Sequence, residues 1–91
     1  MRIDKFLKVS RIIKRRTLAK EVTDQGRIQV NGKTAKASTN VKEGDNIIIK
    51  LGQRKLTILV KEIKETSKKE EAAKMYEIIK EERISEEKIY E

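Results

Sequence analysis

The apolar residues of this sequence change their spacing at Gly26, and no other feature restricts the fold more. Before Gly26 they recur at the i, i+3, i+4 spacing of one helical face, as in Ile3, Phe6 and Leu7. After Gly26 the stretch RIQV alternates between apolar and polar residues, as a half-buried strand does. A chain of 91 residues buries only a modest core. The pattern therefore predicts a small α+β fold.

Two short helices are predicted before the change of spacing. The first spans Arg2–Val9, and the second spans Leu18–Asp24 with Leu18 and Val22 on its buried side. Thr17 is predicted as the N-cap of the second helix, because a threonine hydroxyl accepts a hydrogen bond from an unpaired N–H group of the first turn. The glycine that follows the second helix suits the C′ position.

An antiparallel sheet is predicted after the helices. Asn31–Gly32 is a typical two-residue hairpin turn, since both residue types tolerate positive φ. Further turns are predicted at Glu43–Asp45 and at Gly52–Gln53, with strands through 47–51 and 56–63. The fold class is therefore α+β, with two short N-terminal helices packed on a small antiparallel sheet.

A third helix of about 15 residues is predicted at the C-terminal end. Ser67 and Glu70 have the spacing of a capping box. The apolar stripe that follows consists of Ala72, Met75, Tyr76 and Ile79. These observations divide the chain into a domain of residues 1–64 and a C-terminal helix with an acidic tail, residues 65–91.

The composition argues against an enzyme. The sequence has no cysteine and no histidine, so it lacks thiol and imidazole groups and the ligands of most zinc and iron sites. Neither a metal nor another cofactor is expected. No apolar run approaches the ~20 residues of a membrane helix, and the N-terminus lacks the apolar stretch of a secretory signal. A cytoplasmic protein is therefore expected.

The excess of positive over negative charge lies entirely in the first half of the chain. Residues 1–42 carry 12 Lys and Arg against three acids, whereas residues 43–91 carry 11 against 12 acids. This asymmetry favours a polyanionic partner, and nucleic acid before a membrane. A membrane-binding basic helix is the weaker alternative, because the cations alternate with turn signals and a sheet.

The candidate RNA-binding residues lie mostly in the two helices and the break between them. They are Arg2, Lys5, Lys8, Arg11, Lys14, Arg15, Arg16, Thr17, Lys20 and Lys36. Like charges at such spacing repel, and RNA phosphates relieve that repulsion. Asp4 is predicted to orient Arg16 or Arg11, or to contact RNA itself. A plain solvated face is the alternative for any isolated charge run.

Tyr76 is expected in helix packing rather than in base stacking. The basic half of the chain has no aromatic residue except Phe6, which belongs to the apolar helix face. Recognition of the shape and backbone of folded RNA is therefore favoured over recognition of splayed bases.

Three stretches, in this order, resemble the S4 RNA-binding domain: RIDKFL, RRTLAKEVTDQGRIQVNGKTAKAS and VKEGDNIII. With KKEEAAKMYEIIKEE near the end, the likeness extends to the RqcP family of Firmicute ribosome-associated quality-control factors. The resemblance implies a non-enzymatic monomer that binds a large ribosomal subunit obstructed by peptidyl-tRNA. It would contact large-subunit rRNA and P-site tRNA and would support template-free alanine tailing with the factor RqcH.

Three alternatives stay open. A ribosome-recycling factor of the heat-shock type usually has a basic C-terminal extension, whereas this C-terminal end is rich in acids. A ribosome-biogenesis or translational-repression protein would bind precursor rRNA or mRNA. An RNA-modifying enzyme would need a separate catalytic domain, and the sequence leaves no space for one.

Overall fold

The computed structural model describes residues 1–65 and 68–83. Within them lie three helices and five strands: α1 Ile3–Val9, α2 Arg16–Asp24, β1 Ile28–Val30, β2 Lys33–Thr34, β3 Asn46–Leu51, β4 Arg54–Val60, α3 Lys69–Ala72 and β5 Tyr76–Arg83. No helix in this part of the chain is long and apolar enough to cross a membrane. The capping prediction for Ser67 and the predicted acidic tail beyond β5 fall outside the described residues.

The strands form one antiparallel sheet in the order β2-β1-β3-β4-β5. β1 joins β2 through Asn31–Gly32, whose φ angles of 52° and 85° suit a two-residue turn. β3 joins β4 through Gly52–Gln53, with Leu51 opposite Arg54. Both predicted hairpins are confirmed, because each is determined by a few neighbouring residues.

The core lies where the two N-terminal helices meet the sheet. α1 contributes Ile3, Phe6 and Leu7, as the helical spacing predicts. The strands contribute Ile28, Val30, Ile47, Ile49, Ile58 and Val60. Burying a side chain of this size stabilises the fold by about 1.5–3 kcal/mol, so the apolar alternation of β1, β3 and β4 fixes which face of the sheet the helices cover.

The second helix begins earlier than the sequence predicts. Arg15 is the N-cap, with extended backbone angles, and its carbonyl accepts a hydrogen bond of 3.0 Å from the Ala19 N–H group. The prediction of Thr17 as N-cap is therefore wrong. Leu18, predicted to be buried, is 46% exposed, because Ala19 and Val22 occupy the inner face. The expected C′ position of Gly26 is confirmed by its φ of 80°.

The predicted C-terminal helix is wrong. Only Lys69–Ala72 is helical, and Tyr76–Arg83 then pairs along the whole of β4 as strand β5. Without β5, the N–H and C=O groups on one side of β4 would be left unpaired at the sheet edge. This pairing outweighs the helix propensity of the Glu and Lys residues, a common result when tertiary contacts compete with local preference. The division of the chain at residue 64 stays a prediction.

Candidate nucleic-acid interface

Asp4 is the buried acid at the centre of the basic surface. Its side chain is 3% exposed. One carboxylate oxygen accepts a 2.8 Å hydrogen bond from the Lys5 backbone N–H group and lies 3.5 Å from Nη2 of Arg16. The other oxygen accepts a 3.2 Å hydrogen bond from Nη2 of Arg2. The carboxylate therefore links the N-cap residue of α1 to the first residue of α2.

Of the two arginines that Asp4 is predicted to orient, Arg16 lies within 3.5 Å of its carboxylate, and Arg2 is a further partner. The two arginine side chains are 47% and 46% exposed, so each keeps guanidinium N–H groups at the surface. A guanidinium held in one orientation is well suited to a two-pronged grip on a phosphate. The structure therefore fixes two arginines next to each other at the protein surface.

The start of α1 is also fixed through its backbone. The Ile3 N–H group donates to the Thr39 carbonyl over 2.7 Å, and the Asp4 N–H group donates to the Ala37 carbonyl over 3.3 Å. Lys36, which is exposed, lies in the same loop. The fold therefore brings this distant candidate next to the first turn of α1.

The N-terminal end of α2 attracts anions. Arg15 makes no side-chain cap hydrogen bond, and the first turn contains no acid. The first N–H groups of a helix lack intrahelical partners, and the helix dipole places partial positive charge there. Three cations lie at this end of the helix, where further positive charge is unfavourable: Lys14, Arg15 and Arg16. A bound phosphate would satisfy the N–H groups and reduce the repulsion between the cations.

A groove of about 820 Å³ is lined by α1, by the α1–α2 connection and by residues that follow β4, including Glu65 and residues of 69–76. Its lining includes the predicted candidates Lys5, Lys8, Arg11, Lys14 and Arg16. Its opposite wall includes Glu65, Lys69, Ala72, Ala73 and Tyr76. The groove thus brings together five of the nine predicted cations.

Glu65 and Lys5 form an ion pair across this groove. The hydrogen bond from Lys5 and its positive charge lower the pKa of the Glu65 carboxyl from its ordinary value. Sequence reasoning missed this acid, because the two residues are 60 positions apart. The ion pair identifies a place beside Lys5 where a negative oxygen is stabilised.

Arg11 occupies a backbone conformation that usually favours glycine. It lies just after the C-cap of α1, with φ of 63°, and its N–H group donates to the Lys8 carbonyl over 3.0 Å. A left-handed conformation costs a non-glycine residue about 1 kcal/mol. An arginine at this place presents a charged side chain to the groove where glycine would present none.

Some cations of the sheet are paired with acids, whereas Lys33 and Lys50 have no carboxylate within ion-pair distance among the described residues. The ion pairs between β4 or its following segment and β5 are Arg54–Glu81, Lys55–Glu82 and Lys61–Glu77. Within residues 1–65 and 68–83, no carboxylate lies within ion-pair distance of Lys8, Lys14, Arg15 or Lys36. Four of the predicted candidate cations are therefore without a carboxylate partner in this part of the chain.

The remaining candidates lie outside the groove. Arg15 and Thr17 are exposed at the start of α2, and Lys20 pairs with Asp24 over 3.0 Å one turn later. Lys69 and Tyr76 were missed as site residues. No local signal near either residue could have found them, because the pairing of β4 with β5 brings them to the helices.

The sequence matches known proteins. The S4 domain family matches residues 1–47. The "RQC P-site tRNA stabilizing factor" of Bacillus subtilis is 64% identical over 86 residues, which cover 94% of this chain and 100% of the relative. A protein of the same name from Halalkalibacterium halodurans is 64% identical over 93% of this chain and 97% of its own. The trimeric solved structure of heat shock protein 15 from Vibrio cholerae has a TM-score of 0.80 and 32% identity, covering 86% of this chain and 80% of its own.

Proposed function

The chain belongs to the S4 domain family and, within it, to the family of the RQC P-site tRNA stabilizing factors, and we propose that it acts as an RNA-binding factor in ribosome-associated quality control. It binds large ribosomal subunits obstructed by peptidyl-tRNA and contacts large-subunit rRNA and P-site tRNA. It supports alanine tailing of the stalled chain with RqcH. It acts in the cytoplasm as a monomer and as a binding protein rather than an enzyme.

One observation carries this proposal: the helical side combines two arginines fixed by Asp4 with several unpaired cations. The fixed arginines provide geometry, and the unpaired lysines provide attraction that does not depend on sequence. Phosphates held at defined spacing on folded RNA can bind both the fixed arginines and the unpaired lysines. The ion pairs between β4 and β5 reduce the positive charge of that edge of the sheet, so the helical side offers the stronger attraction to a polyanion.

A contact with two RNAs follows from the layout of the cations. One group surrounds Asp4 and the loop that carries Lys36, and the other lines the groove. Arg16 belongs to both groups. A small rigid protein that touches rRNA and tRNA together would favour a single position of the tRNA over the others. The name of the relatives, RQC P-site tRNA stabilizing factor, supports this proposal.

The test compares Arg16→Ala with Arg54→Ala. Each change removes one arginine that is about half or more exposed and that forms an ion pair with an acid. Both tagged variants are purified from cells at moderate salt, and their co-purifying RNAs are quantified. We expect Arg16→Ala to lose large-subunit rRNA and tRNA about 10-fold or more, since a hydrogen bond to a charged group contributes about 1.5–3 kcal/mol. Arg54→Ala should behave like the parent. Equal recovery with both variants would contradict the proposed interface.

Salt dependence provides an independent check. If several phosphates are neutralised, the logarithm of the binding constant falls with the logarithm of the salt concentration by about 0.7–0.9 per phosphate. Binding that is indifferent to salt would rule out the electrostatic account. Light scattering of the purified chain tests the monomer, and a trimer at working concentration would contradict it.

A recycling factor of the heat-shock type is the second candidate, favoured by the likeness to heat shock protein 15. The two candidates differ in their co-purifying partners. RqcH together with alanine-tailed nascent chains would support the tailing role, whereas obstructed subunits without tailing would support recycling. Precursor rRNA or mRNA would instead support the biogenesis or repression alternative.

A further inference from the structure

The groove contains apolar surface as well as charge. Val9, Ala72, Ala73 and Tyr76 line it together with the lysines and arginines. A site for phosphates alone needs only cations and N–H groups. Apolar surface in a charged groove is suited to a ligand that has both a flat apolar part and an anionic part.

Tyr76 is placed to supply a flat surface. It is the first residue of β5, opposite Val60, and it packs partly against the core while also lining the groove. The core contact and the strand pairing hold the ring in place. A rigid aromatic ring beside cations is the arrangement on which nucleic-acid bases stack.

The ion pair between Lys5 and Glu65 marks the place in the same groove where a negatively charged group is stabilised. The Glu65 carboxylate belongs to this chain and already forms an ion pair with the Lys5 ammonium group. Glu65 is largely exposed, with 77% of its side chain in water, so it is easily displaced. A phosphate that replaces it would also meet Lys8 and Lys14, which lack a carboxylate partner among the described residues.

We propose that this groove binds one unstacked nucleotide of an RNA chain, with its base against Tyr76 and Ala73 and its phosphate at Lys5. The inference rests on the proposed RNA-binding function and specifies the part of the RNA that the groove takes. The volume of about 820 Å³ lies within the usual range of 300–1,000 Å³ for small-ligand sites. A stacked base within a duplex would not reach the apolar wall, so the ligand is a bulged or single-stranded nucleotide.

This inference revises the expectation drawn from the sequence. The first half of the chain offers no aromatic residue for base stacking, and a C-terminal helix would have used Tyr76 for packing. The pairing of β4 with β5 instead carries Tyr76 to the basic helices. The aromatic residue and the cations therefore come from opposite ends of the chain.

The test uses two fluorescein-labelled probes, a short single-stranded oligoadenylate RNA and a short RNA duplex, with binding measured by anisotropy. Tyr76→Leu should weaken binding of the single strand about 5- to 100-fold, the range that corresponds to loss of one stacked base. Binding of the duplex should not change. Tyr76→Phe, the matched control, keeps the ring and should bind both probes like the parent.

A second variant guards against a folding defect in Tyr76→Leu. Ala73 is exposed and lines the groove, so Ala73→Gln fills the space for the base without changing charge or core. It should also weaken binding of the single strand alone. The chain has two tyrosines and no tryptophan, so in a Tyr90→Phe background the tyrosine fluorescence reports Tyr76. The single strand should quench this fluorescence, and the duplex should not.

The outcomes separate this inference from the proposed function. Parent-like binding by both groove variants, or equal weakening toward both probes, would overturn the nucleotide site. Binding of the duplex without the single strand would also overturn it, while the RNA-binding function would stand. A parent protein that binds neither probe at low salt would refute both.

Discussion

Replacement of Asp4 by asparagine separates the positioning of the arginines from their charge. Asparagine is nearly the same size as aspartate, and its Oδ1 atom still accepts the hydrogen bond from the Lys5 N–H group. What disappears is the negative charge that holds Arg2 and Arg16. The substitution therefore leaves the shape of the site almost intact and releases two guanidinium groups.

The expected loss of stability follows from the burial of Asp4. Breaking a buried ion pair costs about 3–5 kcal/mol when the remaining charge is left in the interior. Here both arginines are about half exposed, so water solvates them after the change, and the loss lies nearer the 1.5–3 kcal/mol of a hydrogen bond to a charged group. A loss of about 2 kcal/mol would lower the melting temperature of a chain of this size by about 8–16 °C.

Asp24→Asn is the matched control. Asp24 pairs with Lys20 over 3.0 Å on the exposed side of α2, and such pairs contribute only about 0.3–0.5 kcal/mol. Urea unfolding followed by circular dichroism measures both variants. A difference of less than about 0.5 kcal/mol between them would refute the central structural role of Asp4.

RNA binding by the same two variants distinguishes an effect of net charge from an effect of arginine positioning. Each variant gains one unit of positive charge, so an interface that depends on net charge alone would bind RNA more tightly in both cases. If arginine positioning matters, Asp4→Asn binds more weakly than the parent, whereas Asp24→Asn binds equally or more tightly. Tighter binding by Asp4→Asn would refute the positioning argument.

Three further predictions test the groove, the C-terminal strand and a turn. The pKa of the Glu65 carboxyl lies below its ordinary value of 4.5, so its ion pair with Lys5 stabilises the fold above pH 4.5 and is lost as the pH falls through the lowered pKa. Carbon-13 NMR titration should find that Lys5→Met returns this pKa toward 4.5, and an unchanged pKa would contradict the ion pair. Met75→Ala should destabilise the protein by about 2–4 kcal/mol, but Ile79→Ala by about 0.5 kcal/mol or less, because Met75 is fully buried and Ile79 is 53% exposed. Similar unfolding free energies for these two variants would favour the predicted C-terminal helix over strand β5. Gly26→Ala should cost about 1 kcal/mol, since φ of 80° is strained for alanine, and an unchanged urea midpoint would argue against this turn.

The elements that could be predicted from the sequence are those with local causes. The spacing of Ile3, Phe6 and Leu7 is enough to define the buried face of α1, and Asn31–Gly32 is enough to define its hairpin. The C-terminal strand has no such local cause. Its residues suit a helix, and only the unpaired side of β4 makes a strand more stable.

The same distinction applies to the candidate site. Asp4 and Arg16 are close along the chain, and a lone acid among cations was a clear signal of their contact. Glu65, Lys69 and Tyr76 could not be assigned, because they are distant from the helices in sequence and, for Tyr76, because its position depends on a strand pairing that the sequence pattern opposes. The error in the C-terminal element therefore also hid one wall of the groove.

The separation of paired from unpaired cations explains how a small, strongly charged chain can both fold and bind RNA. Ion pairs between β4 and β5 limit repulsion among the cations of that edge of the sheet. On the helices, Asp4 is the single buried acid near the cations in the described residues, and it orients two arginines without covering them. More acids there would stabilise the free protein but would compete with phosphates for the same guanidinium and ammonium groups. The repulsion that remains on the helical side is therefore the part that RNA binding relieves, which links the affinity of the site to the incomplete neutralisation of the free fold.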